Sequence, residues 1–132
     1  MTELMRNRPE NRETIARRAA WRRGLVAEHW VCLLFRLVGW RLLGHRWKCR
    51  YGEIDLILQR RHRLRFVEVK FSGSRSAASR EQALPDSHQQ ARMRRSAASF
   101  LARHDPASRL SVQLDIVLVY PSGRIEILRN AV

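Results

Sequence analysis

The stretch GEIDLILQRRHRLRFVEVK, residues 52–70, constrains the fold of this chain more than any other. Two runs alternate between apolar and polar side chains, a period of two that suits strands rather than helices. In the first run Ile54, Leu56 and Leu58 face one way while Glu53, Asp55 and Ile57 face the other. In the second, Val67, Val69 and Phe71 share a face, and Phe66, Glu68 and Lys70 share its opposite. The spacing predicts an antiparallel hairpin turning between Arg61 and His62, with Asp55 opposite Glu68 and Glu53 opposite Lys70. Both strands thus separate a greasy side from a side that carries charge.

Directly opposed carboxylates have Cβ atoms about 5 Å apart and repel. A raised pKa, a neighbouring cation or a bound metal must offset that repulsion. Oxygen ligands at about 2.1–2.5 Å suit Mg2+ or Mn2+, hard cations that keep waters and bind phosphate oxygens. Among 26 basic residues only Lys48 and Lys70 are lysine. Where chemistry needs a compact ammonium of tunable pKa, arginine cannot substitute. Lys70 is therefore a candidate to orient or activate a water, or to contact a phosphate. Plainer readings stand beside these: Glu53–Lys70 as a cross-strand ion pair worth under about 1 kcal/mol, and Asp55 as acceptor for a local backbone amide. Glu28, in GLVAEHW, is a carboxylate on an apolar helical side, costly unless paired. It would reach the sheet as a further ligand or form a salt bridge with an arginine. Asp115, at the start of a buried strand, is expected to play a structural role.

The charge balance points to a partner. With 26 basic against 12 acidic residues and a formal net charge of +14, the chain repels itself unless polyanions are near. Nucleic acid is the expected partner, with ribosomes or anionic lipid as the other uses of such a surface. Cys32 and Cys49 form neither a disulfide framework nor a zinc-type cluster with the scattered histidines, which suits a reducing cytoplasm. The polar start MTELMRNRPENRET carries no secretory signal. In HWVCLLFRLVGWRLLGHRW, Arg36 and Arg41 leave runs too short to span a bilayer, so no membrane span is expected. A basic amphipathic helix lying on a membrane surface is the remaining alternative there.

Residues 1–12 read as a flexible basic tail, and residues 13–132 as a single domain. Apolar spacing through Ala16, Ala19, Ala20, Val26, Ala27, Val31, Leu34 and Val38 predicts a helix that Gly24 weakens or divides and Gly39 caps. The part between Trp30 and Phe35 is apolar around most of its circumference and is expected to be well buried. WRLLGHRWKCR offers one or two short strands before the hairpin. SGSRSAASREQALP reads as a loop or flap. Asp86 or Ser87 caps a helix running to about Arg103, with Ala91, Ala97, Ala98 and Leu101 among its buried positions. SVQLDIVLVY and RIEIL are strands separated by a PSG turn. A mixed α/β sheet flanked by helices follows.

The pattern GEIDLI, FVEVK and LDIVLV, preceded by an AE helix and GW.LL, resembles the YraN-like family of small bacterial proteins. That family resembles the PD-(D/E)xK nuclease superfamily and archaeal Holliday-junction resolvases, over roughly residues 24–129 of this chain. The resemblance implies a restriction-endonuclease-like α/β core. It also implies that Asp55, Glu68 and Lys70 match the acidic–acidic–lysine motif, with the Val69 carbonyl and Glu28 as further ligands of Mg2+ or Mn2+. Gln89, Arg92, Arg94, Arg95 and the loop residue Arg75 would lie near the nucleic-acid backbone. Four positions depart from the pattern: Phe71 and Ser72 follow the lysine where relatives carry Thr-Arg, Gln89 stands where they carry a lysine, and Arg46 where they carry an asparagine. The expected activity is metal-dependent hydrolysis of DNA, including branched or structured DNA, in repair or recombination. The alternative is a non-catalytic nucleic-acid-binding module that keeps the fold. Cutting two strands would be simplest for a homodimer.

Overall fold

The computed structural model describes residues 11–73 and 76–132; most of the expected basic tail, residues 1–10, and Arg75 lie outside the described residues. The elements run α1 (Arg12–Leu37), β1 (Arg41–Cys49), β2 (Gly52–Arg60), β3 (Arg63–Phe71), α2 (Ala77–Ala83), α3 (Ser87–His104), β4 (Ser111–Val119) and β5 (Ile125–Leu128). The strands form one mixed sheet in the order β1-β2-β3-β4-β5, in which only β3 and β4 are parallel. A parallel pair needs a long crossover, and α2 with α3 supply it. One face of the sheet buries Leu56, Leu58, Val67 and Val117 against Ala27, Val31 and Phe35 of α1. The other buries Ile57, Leu64 and Phe66 against Ala97 of α3. This is the α/β architecture expected from the sequence, consistent with a restriction-endonuclease-like fold.

α1 begins where the Asn11 side chain accepts a hydrogen bond from the Glu13 amide. It runs unbroken through Gly24, where an added Cβ would meet nothing within 4 Å, so that glycine costs helix propensity without dividing the helix. Its end is a Schellman motif. Gly39 takes φ +95°, its amide bonds Arg36 O at 3.1 Å, and the Trp40 amide reaches back to Phe35 O at 3.0 Å. The Phe35 and Trp40 rings then meet edge to face, 6.1 Å between centroids.

The buried stripe of α1 is Ala27, Val31 and Phe35, spaced by four, with Glu28 beside it. Val26 and Val38, expected inside, face solvent, and Leu33 is 48% exposed, so the segment from Trp30 to Phe35 is buried on one side only. The sheet covers one side of this helix, and an amphipathic helix needs no more. In α3 the buried positions are Met93, Ser96 and Ala97, whereas Ala98 is exposed. The stretch read as a flap contains α2, a two-turn helix started by Ser76, whose hydroxyl accepts the Ser79 amide at 3.2 Å. Turn-forming serines masked that helix, because the same side chains that favour loops also favour N-caps.

The hairpin turns through two residues, Arg61 and His62, with Arg61 at φ 55°. Pairs from Arg60↔Arg63 to Leu56↔Val67 carry the expected register. Pairing stops at Leu56, so Asp55 and Glu68 sit where the strands part rather than within the ladder. Beyond that point β2 has a ladder partner only in β1, and Ile54 packs with Ile57, Phe66 and Ala97 instead of following Leu56 and Leu58.

Asp115 is fully buried. Arg65 Nε lies 2.9 Å from Asp115 Oδ2, out of line for a hydrogen bond, and the Asn130 amide donates to Oδ1 at 2.8 Å. The Arg65 guanidinium stacks 4.7 Å from the Trp40 ring centre and 5.0 Å from that of Phe35. This carboxylate is structural, as its position in the sequence suggested.

Candidate functional site

A cleft of about 500 Å³ opens where β2 and β3 separate. Five elements line it: α1 through Trp21 and Glu28, β1 through Arg46, β2 through Glu53 and Asp55, β3 through Glu68, and α3 through Gln89, Arg92 and Ser96. Parting strands explain the convergence, because a continuous ladder would close the gap between them. Asp55, Glu68, Glu28, Gln89 and Arg92, far apart in sequence, thus face one space.

Asp55 lies on β2, between β1 and β3. The Val69 amide donates to its Oδ2 at 2.8 Å. Burial pushes its pKa up to about 7, against that amide, and the Glu28, Glu68 and Glu53 carboxylates push the same way as burial. The repulsion expected from the sequence is therefore present, and it falls on Asp55. On β1, Arg46 lies between the His45↔Leu56 and Trp47↔Ile54 pairs, which sets it across from Asp55. Glu53 meets Lys48 across β1 and β2, rather than Lys70 across the hairpin, because the hairpin ladder has already ended.

Glu28 is buried and fully engaged. Arg46 donates to it through Nε at 2.9 Å and Nη2 at 3.4 Å, and His45 Nε2 lies 3.1 Å from the same Oε2. Lys70 is not part of the cleft lining; its ammonium donates to the Ala83 carbonyl at 2.9 Å, at the C-terminal end of α2. That end of a helix offers unsatisfied carbonyls and the negative end of its dipole.

Among the described residues, no three His, Cys, Asp or Glu side chains are grouped so as to hold a metal ion. Asp55 and Glu68 remain as hard-oxygen donors, a set that suits Mg2+, which keeps several waters and needs only one or two carboxylates. Burial first, and the neighbouring carboxylates after it, raise the pKa of Asp55, a penalty on its charged form that a divalent cation would offset.

Beside the cleft, Arg50, Tyr51, Arg95 and Ser99 line a shallower basin of about 400 Å³, with the Arg50 guanidinium 4.7 Å from the Tyr51 ring centre. Arg94 is exposed but lines neither space. The 3.6-residue period turns it away from Arg92 and Arg95. Sequence reasoning passed over His45, Arg46 as a partner of Glu28, and the Arg50–Tyr51 pair. The arginine and tyrosine before Gly52 were a legible signal of a basic, aromatic turn. The placement of Arg46 was not legible, because it depends on the register of β1 and on a bulge between Leu42 and Gly44. No helix among the described residues is long and apolar enough to cross a membrane.

Comparison with known proteins places this architecture in context. The family model described as Uncharacterised protein family UPF0102 matches residues 27–119, from the buried stripe of α1 to the end of β4. A UPF0102 protein of Parvibaculum lavamentivorans is 44% identical over 103 residues, covering 78% of this chain and 75% of its own length. One of Agrobacterium fabrum is 40% identical over 105 residues, 80% of this chain and 84% of the relative. One of Rhizobium etli is 39% identical over 113 residues, 86% and 90% respectively.

Proposed function

The chain belongs to the uncharacterised protein family UPF0102, and from its site we propose that it is a metal-dependent endonuclease acting on DNA, with branched or otherwise structured DNA as the substrate class. One observation carries the reading: Asp55 and Glu68 open onto the same cleft as Gln89 and Arg92, in a chain of net charge +14. Carboxylates alone would repel a phosphodiester; carboxylates that hold a cation beside arginines attract it.

In this reading Asp55 and Glu68 hold Mg2+ or Mn2+, which when bound supplies an activated water and neutralises charge on the phosphate. Hydrolysis of the phosphodiester would form a P–O bond to a water oxygen and break the P–O bond to the ester oxygen, the proton that water gives up passing through solvent to the departing oxygen. Arg92 and Gln89 bind the phosphates that flank the break, and Arg95 with the Arg50–Tyr51 basin extends the contact along the strand. Lys70 shares the strand face of Glu68 and is assigned to orienting the water, which requires its ammonium to leave the Ala83 carbonyl. A second reading, a nucleic-acid-binding module without catalysis, is favoured by that same bond and by the engagement of Glu28 with Arg46.

Cleavage assays on linear, nicked and four-way-junction DNA with Mg2+ or Mn2+ separate the two. The nuclease reading expects metal-dependent products that Asp55→Asn abolishes. Metal-independent binding with no cleavage by wild type, unchanged in Asp55→Asn, would establish the binding module instead.

A further inference from the structure

Arg50 and Tyr51 form the turn between β1 and β2, outside the carboxylate cleft. The turn is tight, because Cys49 before it pairs with Gly52 after it, so the Tyr51 ring is presented from a fixed hairpin end. Beside it α3 brings Arg95, Ala98 and Ser99, and these five residues line the basin of about 400 Å³. Two of the five are cations and none is acidic, in contrast to the neighbouring cleft. The Arg50 guanidinium lies over the Tyr51 ring, 4.7 Å from its centre. Basin and cleft adjoin along the chain: Gly52, next to Tyr51, and Arg92, one turn before Arg95 on α3, both line the cleft.

We propose that this basin captures an unpaired nucleobase, stacked on Tyr51 with its phosphate on Arg95, so that the preferred DNA carries a single-stranded segment beside the bond in the cleft. The inference rests on the nuclease reading above and narrows its substrate class. An aromatic ring among cations suits a single strand, because every base has a face to stack and every nucleotide a phosphate to neutralise. Base stacking is worth more than the contact of an exposed guanidinium with a ring, so a base displaces Arg50 from Tyr51. The freed guanidinium keeps its charge and turns to the phosphates of the strand. Arg92 and Arg95, three apart on one helix, are neighbours on its surface and can hold adjacent phosphates of that strand. A duplex keeps its bases stacked on one another, and extruding one costs pairing and stacking, so paired DNA gains little from the ring.

Fluorescence anisotropy in EDTA, without metal, reads binding apart from cleavage. The probes are a labelled single strand of about 12 nucleotides and the duplex of the same sequence. Tyr51→Ala is expected to weaken single-strand binding about fivefold or more and to leave duplex binding unchanged, while Tyr51→Phe binds like wild type. Wild type is also expected to bind an abasic strand of the same length about fivefold or more weakly than the base-carrying strand, a readout that needs no variant to fold. Base capture is overturned if the abasic strand binds equally well, if Tyr51→Ala binds single strands like wild type, or if its loss is shared by the duplex. Each of these failures leaves the nuclease reading intact, since none involves metal or hydrolysis. The expected binding pattern without metal-dependent cleavage overturns the nuclease reading and leaves the base site standing.

Discussion

Asp55 concentrates the tension of the site. Burial and the carboxylates of Glu28, Glu68 and Glu53 raise its pKa from an ordinary aspartate's to about 7. The consequence for stability has a definite sign. From about pH 4 to pH 7 the folded protein keeps a proton that the unfolded chain has released, so stability falls as pH rises through this window and the loss is complete above it. Asp55→Asn keeps an acceptor for the Val69 amide and carries no charge. It is expected to be more stable than wild type at pH 8, by on the order of 1–4 kcal/mol, and to match it near pH 4. Urea denaturation at the two pH values measures the difference; equal stabilities at pH 8 would mean that burial and the neighbouring carboxylates do not penalise the charged form of Asp55. Lys70 makes the complementary case. Lys70→Ala removes a bond to the end of α2 and, in the proposed chemistry, the group that orients water. Single-turnover cleavage is expected to fall by about 10²-fold or more, with DNA affinity little changed. Undiminished cleavage would remove Lys70 from the mechanism.

Two devices hold the elements around the cleft. One is the buried pair of Arg65 on β3 and Asp115 on β4, covered by Phe35 and Trp40. Asp115→Ala leaves a guanidinium buried without its counter-charge and is expected to cost about 3–5 kcal/mol in chemical denaturation. The double variant Arg65→Met with Asp115→Leu is expected to recover most of that loss, since a well-packed apolar pair can replace a buried ion pair. The other device is the Schellman turn after α1. Gly39 at φ +95° allows Trp40 to fold back on Phe35, and Gly39→Ala is expected to destabilise by about 1 kcal/mol, seen as a lower thermal midpoint. These elements matter to the site because α1 delivers Glu28 and β3 delivers Glu68. Loosening either element moves a carboxylate.

At the scale of the whole molecule, the net charge of +14 sets up salt-sensitive, sequence-independent attraction to nucleic acid. Arg92, which faces the cleft, is expected to contribute one phosphate contact. Arg92→Ala should weaken DNA binding and reduce the slope of log K against log[salt] by about 1, whereas Arg94→Ala should leave the slope unchanged. Fluorescence anisotropy across a salt series reads both. The sequence by itself determined the helices that cover the sheet, the hairpin and its register, and the shared side of Asp55 and Glu68. The helices and the shared side follow from local periodicity, and the register follows from a short turn centred between Arg61 and His62. Only the tertiary structure decided where the ladder ends, that Glu53 meets Lys48, that Lys70 bonds α2, and that Arg46 reaches Glu28. Those outcomes depend on how strands far apart in sequence splay and bulge, and on which of many arginines arrives first beside a buried carboxylate. Charge alone does not choose among 24 arginines, and packing does.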